Sequence, residues 1–143
     1  AHFKNFNTLK DIAKAKAEII DNIVGGGNII LNKDDKFFNF LSSQARKNKI
    51  NVISFSSKKK ADIFLLGIRR IGHYYRLKVI VKKKIFYFNL AYSTNHFINN
   101  ILACISVLSV LNLDLNNMKK KFTNFTIPSG RGDIKVVKKF KKI

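Results

Sequence analysis

Apolar residues recur at helical spacing near the start of the chain. Leu9, Ile12, Ala13, Ile19, Ile20 and Ile23 share one face of a helix over Thr8–Ile23. Thr8, with Asp11 three residues on, has the form of a capping box. Gly25-Gly26-Gly27 ends that helix and turns the chain. Asn28–Asn32 then reads as a short buried strand, Lys36–Lys47 as a helix and Asn51–Phe55 as a second strand. Helix, strand, helix and strand with short connections predict an α/β layer with a parallel sheet. The texture changes at Ala61. Ala61–Arg69, His73–Val81 and Ile85–Leu90 are rich in β-branched and aromatic residues, with turns at Gly72 and Lys82–Lys84, and predict an antiparallel meander. Thr94 caps a strongly apolar helix over Asn95–Leu111, and a shorter helix follows over Asp114–Phe122. Pro128–Gly132 reads as a loop and Asp133–Phe140 as a strand.

One polar residue breaks the pattern. At about 100° per residue, Lys16 falls within the apolar stripe of the first helix, whereas Lys10, Lys14 and Glu18 point elsewhere. Such a lysine must lose its charge, meet an anion, be chemically modified, or snorkel past the edge of the stripe. Asp34 and Asp35 follow the first strand, and ligands of parallel sheets sit outside the carboxyl ends of strands. Capping of the next helix explains them equally well.

Three segments carry a resemblance. Ala1-His2-Phe3 followed by Ile12-Ala13-Lys14-Ala15-Lys16-Ala17-Glu18-Ile19, with Asn32-Lys33-Asp34-Asp35 at a strand end, resembles the Mur ligases, although Lys4 stands where the family usually has Glu. Asn95-His96-Phe97-Ile98-Asn99-Asn100-Ile101-Leu102-Ala103 resembles a helix start of the same family, with Phe97 in place of its first Asn. Ile127-Pro128-Ser129-Gly130-Arg131 resembles the end of the family's central domain, with Ser129 inserted. The resemblance implies an α/β fold: part of a parallel-sheet Mur-ligase central domain with a small antiparallel sheet. It assigns residues 1–132 to the C-terminal portion of that ATP-binding domain and 133–143 to the start of the next domain. It implies His2 and a carbamylated Lys16 as the metal site, with Lys16 the catalytic candidate. His96, Asn100 and Arg131 become nucleotide-binding candidates.

The activity implied is ATP-dependent amide-bond formation in peptidoglycan synthesis, through an acyl phosphate. ATP and Mg2+ are the implied cofactors, and UDP-N-acetylmuramoyl-tripeptide and D-alanyl-D-alanine the implied substrates of the complete enzyme. Other Mur enzymes and folylpolyglutamate-type ligases are the neighbouring alternatives. No Gly-x4-Gly-Lys-[Ser/Thr] phosphate loop occurs, since Gly67 and Gly72 have its glycine spacing but His73 and Tyr74 follow. The resemblance implies that this loop lies upstream of Ala1 and the remaining ligase domain downstream of Ile143. The isolated chain is then expected to be inactive, and open at a sheet edge.

Charge supplies the rival reading. The formal net charge is +20, from 28 Lys+Arg against 8 Asp+Glu, which invites a small basic nucleic-acid-binding protein. Against that, the lysines are spread in short runs over the whole chain, and an AT-rich coding bias would favour Lys, Asn, Ile and Phe regardless of function. No apolar run reaches the length of a membrane span, Ile98–Leu113 being interrupted by Asn99, Asn100 and Asn112. The single cysteine, Cys104, allows no internal disulfide and fits a cytoplasmic location. Its apolar surroundings in sequence predict burial.

Overall fold

The computed structural model describes residues 8–91 and 95–123. The elements in chain order are α1 (Leu9–Asp21), β1 (Asn28–Asn32), α2 (Phe38–Lys47), β2 (Asn51–Ser56), β3 (Ile63–Ile71), β4 (Tyr74–Val81), β5 (Lys84–Leu90), α3 (Asn95–Val110) and α4 (Leu115–Thr123). The predicted strand over Asp133–Phe140 and the Pro128–Gly132 loop lie outside the described residues.

The five strands form one mixed sheet in the order β1-β2-β3-β4-β5. β1 and β2 are parallel, from Asn28 opposite Asn51 to Asn32 opposite Phe55. β3 joins β2 in parallel through only Phe55–Ile63 and Ser56–Phe64 and then runs on past it. β3, β4 and β5 form the expected antiparallel meander, with a bulge between Leu65 and Gly67. The meander is thus continuous with the parallel pair.

Helices cover both faces. α1 and α2 pack on one side of β1 and β2, where Ile20, Leu31, Leu41, Ala45 and Ile50 are buried. α3 and α4 cover the other side, against Phe55, Ile63, Leu77, Val79, Val81 and Phe88. Phe88 is fully buried and meets the Phe122 ring edge-on at 5.2 Å between centroids. The buried stripe of α3 is Ile98, Ile101, Leu102 and Ile105, at helical spacing. Cys104 falls on the opposite side of that helix and is exposed, contrary to the burial expected from its apolar neighbours.

Local chemistry sets the element ends. The Thr8 amide donates to Asp11 Oδ2 at 2.8 Å and the Asp11 amide to Thr8 Oγ1 at 3.3 Å, completing the capping box. The helix expected from Lys36 begins at Phe38, because Asp35 Oδ1 accepts from the Phe37 amide at 2.8 Å and holds the two preceding residues in a turn. α3 closes with left-handed Asn112 (φ 54°), the Leu113 amide reaching back to Leu108 O at 3.0 Å. No helix among the described residues is long and apolar enough to cross a membrane.

The β4–β5 hairpin turns on two residues, Lys82 and Lys83, since Val81 pairs with Lys84. Both are left-handed, at φ 47° and 68°, where turns of this kind favour Asn-Gly. Lys82 Nζ donates to Ser109 O at 3.0 Å and Asn112 Oδ1 at 3.3 Å, tying the hairpin to the end of α3. Lys83 makes no comparable bond among the described residues. Lys83→Gly is therefore expected to relieve about 1 kcal/mol of left-handed strain and raise the melting temperature by roughly 2–4 °C. Thermal unfolding followed by circular dichroism checks this, and an unchanged or lower midpoint contradicts it.

Candidate functional site

The carboxyl ends of β1 and β2 lie side by side, and the chain leaves each strand into a polar turn. Asn32 Oδ1 accepts from the Asp34 amide at 2.9 Å, and the Lys33 amide donates to Phe55 O at 2.7 Å. The turn aims Asp34 across to the end of β2. Its Oδ1 accepts from Ser56 Oγ at 2.7 Å, and its Oδ2 from the Ser57 amide at 2.7 Å and Ser57 Oγ at 3.0 Å. The fully buried Ser56 hydroxyl in turn accepts from the Lys58 and Lys59 amides at 3.0 and 2.7 Å. Asp34 is therefore a brace between two strand ends and does not cap α2. Desolvation is the largest single influence on its carboxyl and works to raise the pKa, but the hydrogen bonds from Ser56 and Ser57 together outweigh it and hold the pKa below the ordinary 3.8.

Asp35 faces the other way, toward α1. Lys16 Nζ lies 3.8 Å from its Oδ2. The buried seam of α1 runs through Ala13 and Ile20, with Ala17 packed beside it, and is narrower than the apolar pattern suggests. Ile19 is 63% exposed. Lys16 consequently sits at the edge of the seam, its side chain 54% exposed, rather than pointing into the core. It overhangs a cleft of about 550 Å³ that also takes in Ile19, Asn32, Asp35 and Phe38. An exposed pair of this kind contributes at most about 1 kcal/mol to stability. Its interest is placement, with a primary amine and a carboxylate together at the carboxyl edge of a parallel sheet.

α3 presents its start to the same end of the molecule. Its last turn, Ser109 and Val110, borders Asn28 at the beginning of β1. A 16-residue helix spans about 24 Å, so it begins toward the carboxyl ends of the strands. Asn100 lies in the first half of α3 and is exposed. Phe97 is half-buried against the core beneath α3, which accounts for an aromatic at that position through packing. His96 is placed in the first turn by its backbone alone. His2 and Arg131 lie outside the described residues.

Sequence reasoning misses the partners of Asp34. Ser56 and Ser57 stand 22 and 23 residues away, and only the parallel register brings them close. Removing the Asp34 carboxylate, as in Asp34→Ala, leaves those hydroxyl and amide donors without their acceptor, at a cost of about 1–2 kcal/mol near neutral pH. Because the folded pKa is lowered, that contribution is complete above about pH 4 and is lost as pH falls through the folded value. Urea unfolding of both proteins from pH 7 down to pH 2 should show the gap closing only at the acid end. A gap independent of pH contradicts the brace.

Comparison with known proteins accords with this fold. The chain is 27% identical over 135 residues to the UDP-N-acetylmuramoyl-tripeptide--D-alanyl-D-alanine ligase of Rickettsia prowazekii, covering 94% of this chain and 30% of that protein. The fold superimposes on MurF from Acinetobacter baumannii with a TM-score of 0.78 at 21% identity, over 92% of this chain and 28% of that one. It superimposes on the MurF ligase of Thermotoga maritima in complex with ADP with a TM-score of 0.74 at 21% identity, over 90% and 29% of the two chains. The chain thus spans under a third of the length of these relatives. Residues 1–108 match the Mur ligase middle domain, and the chain belongs to the Mur ligase family.

Proposed function

We propose that this chain is part of an ATP-dependent amide ligase that joins D-alanyl-D-alanine to UDP-N-acetylmuramoyl-tripeptide through an acyl phosphate. Membership of the family, with the Rickettsia ligase among its relatives, supports the reaction class and the substrates. The observation that carries the site is the Lys16–Asp35 pair at the carboxyl edge of β1.

As an ammonium beside a carboxylate the pair holds no cation, and it suits a metal only once the Lys16 nitrogen carries an anion. Among the described residues no three His, Cys, Asp or Glu side chains converge on one point, so a cation needs a further anionic donor. Lys16 supplies one if its neutral amine adds carbon dioxide, forming an N–C bond to a carbamate and releasing a proton to solvent, a reaction that its exposed position permits. The pair then changes from opposite charges to two neighbouring anions, an arrangement that a divalent cation neutralises. In this reading carbamylated Lys16 and His2 hold Mg2+, which supplies charge neutralisation at the phosphates of ATP. His96, Asn100 and Arg131 are assigned to the nucleotide. Arg131 offers a planar, permanently charged group for phosphate or ribose oxygens, and Asn100 an amide for hydrogen bonding. Half-buried Phe97 packs on the core beneath α3 and has no amide to offer the nucleotide.

The test replaces the matching 135-residue stretch of the Rickettsia ligase with this chain. The chimera should release phosphate only when ATP, the tripeptide precursor and D-alanyl-D-alanine are all present. Lys16→Ala in the chimera should lower turnover by roughly 10²–10³-fold, with partial recovery in formate or acetate. The 143-residue chain alone, which carries no phosphate loop, should release none. A Lys16→Ala chimera as active as its parent removes the metal-site reading.

A further inference from the structure

The larger cleft lies at the other end of the sheet, away from Lys16 and Asp35. β3 meets β2 only from Phe55 onward, so the lower half of β2 has no neighbouring strand on that side. The notch is closed by the Lys60–Asp62 segment, the Lys82-Lys83 turn and the end of α3, and holds about 680 Å³. That volume is within the range of small-molecule sites. Its walls are mainly aliphatic and aromatic, including Ile53, Phe64, Ile80 and Val110.

Charge is confined to the rim. Asp62 is already engaged, its Oδ2 accepting from the Ser54 amide at 2.9 Å. Lys82 is spent on Ser109 O and Asn112 Oδ1, which offsets the negative end of the α3 dipole facing the cleft. Lys60 and Lys83 line the cleft, are exposed, and form no ion pair among the described residues. The strained turn bears on the same point. Lys83 occupies a left-handed position where glycine would be more stable, and that conformation holds its side chain at the rim.

We propose that this cleft binds a small amphiphilic anion, an apolar chain ending in a carboxylate. The chain lies on Ile53, Ile80 and Val110, and the carboxylate is held between Lys60 and Lys83. A nucleotide suits the site less well, since the walls offer no arginine for bidentate phosphate contact. The site is separate from the proposed ligase chemistry, and either can fail without the other.

Decanoate below its micelle concentration is the probe, titrated into the 143-residue chain with methyl resonances as the readout. Saturable shifts at Ile53, Ile80 and Val110, at one decanoate per chain, are expected. Decanol should bind at least 10-fold more weakly. Lys83→Glu should weaken decanoate at least 10-fold, and Ile53→Trp should fill the cleft and abolish binding. Lys83→Gly should bind more weakly although it melts at a higher temperature. Shifts scattered over the surface without saturation, equal affinity for decanol, or decanoate binding unchanged in Lys83→Glu each overturn the proposal, and Lys83→Glu alters an exposed turn that leaves the core intact.

Discussion

The Asp34 carboxylate is the constraint on which the candidate site rests. Two parallel strands only five and six residues long must end in register and send their chains away in different directions. Every polar group exposed at that break needs a partner, because the turns are half-buried. Asp34 serves four groups at once, counting its own amide bonded to Asn32, and Ser56 relays the tie to the next two amides. With the β2 exit held in this way, β3 starts beside Phe55 and the meander can continue the sheet. Asp35, the next residue, is then turned back toward α1 and Lys16. One acidic residue thus organises the strand ends while its neighbour faces the cleft.

Most of the fold was legible in the sequence. Helix periodicity, the Thr8–Asp11 box, the β-branched and aromatic residues of the meander and the glycines at Gly25–Gly27 and Gly72 are local signals, and local signals survive without knowledge of tertiary contacts. Two features escaped because they depend on distant partners. The Asp34–Ser56 bond needs the β1–β2 register, and the burial of α1 and α3 faces needs the width of the groove each helix fills. Apolar neighbours in sequence therefore misplaced Cys104, which the helix turns outward, and set Lys16 deeper than it lies. The Lys82-Lys83 turn was marked as a turn, but lysine carries no expectation of left-handed backbone.

The candidate site was legible only in part, and for a chemical reason. Residue types that hold metal or nucleotide are also common on solvated helices, so isolated residues such as Asn100 or Lys16 mean little by themselves. Order along the chain supplied the specificity, and the fold adds that Lys16, Asp35 and the start of α3 occupy one end of the sheet. The charge of +20 is spread in short runs along the chain, and among the described residues the lysines and arginines fall on helices, strands and turns alike, consistent with solvated positions rather than a single nucleic-acid groove.

The proposed metal site turns on the chemical state of one nitrogen. In the Rickettsia chimera carrying this chain, incubation with ¹³C-bicarbonate and Mg2+ followed by carbon NMR reads that state directly. A single lysine-carbamate carbonyl resonance is expected, absent when Lys16 is replaced by arginine. A spectrum with no carbamate, or one whose carbamate signal survives the Lys16→Arg substitution, would contradict it.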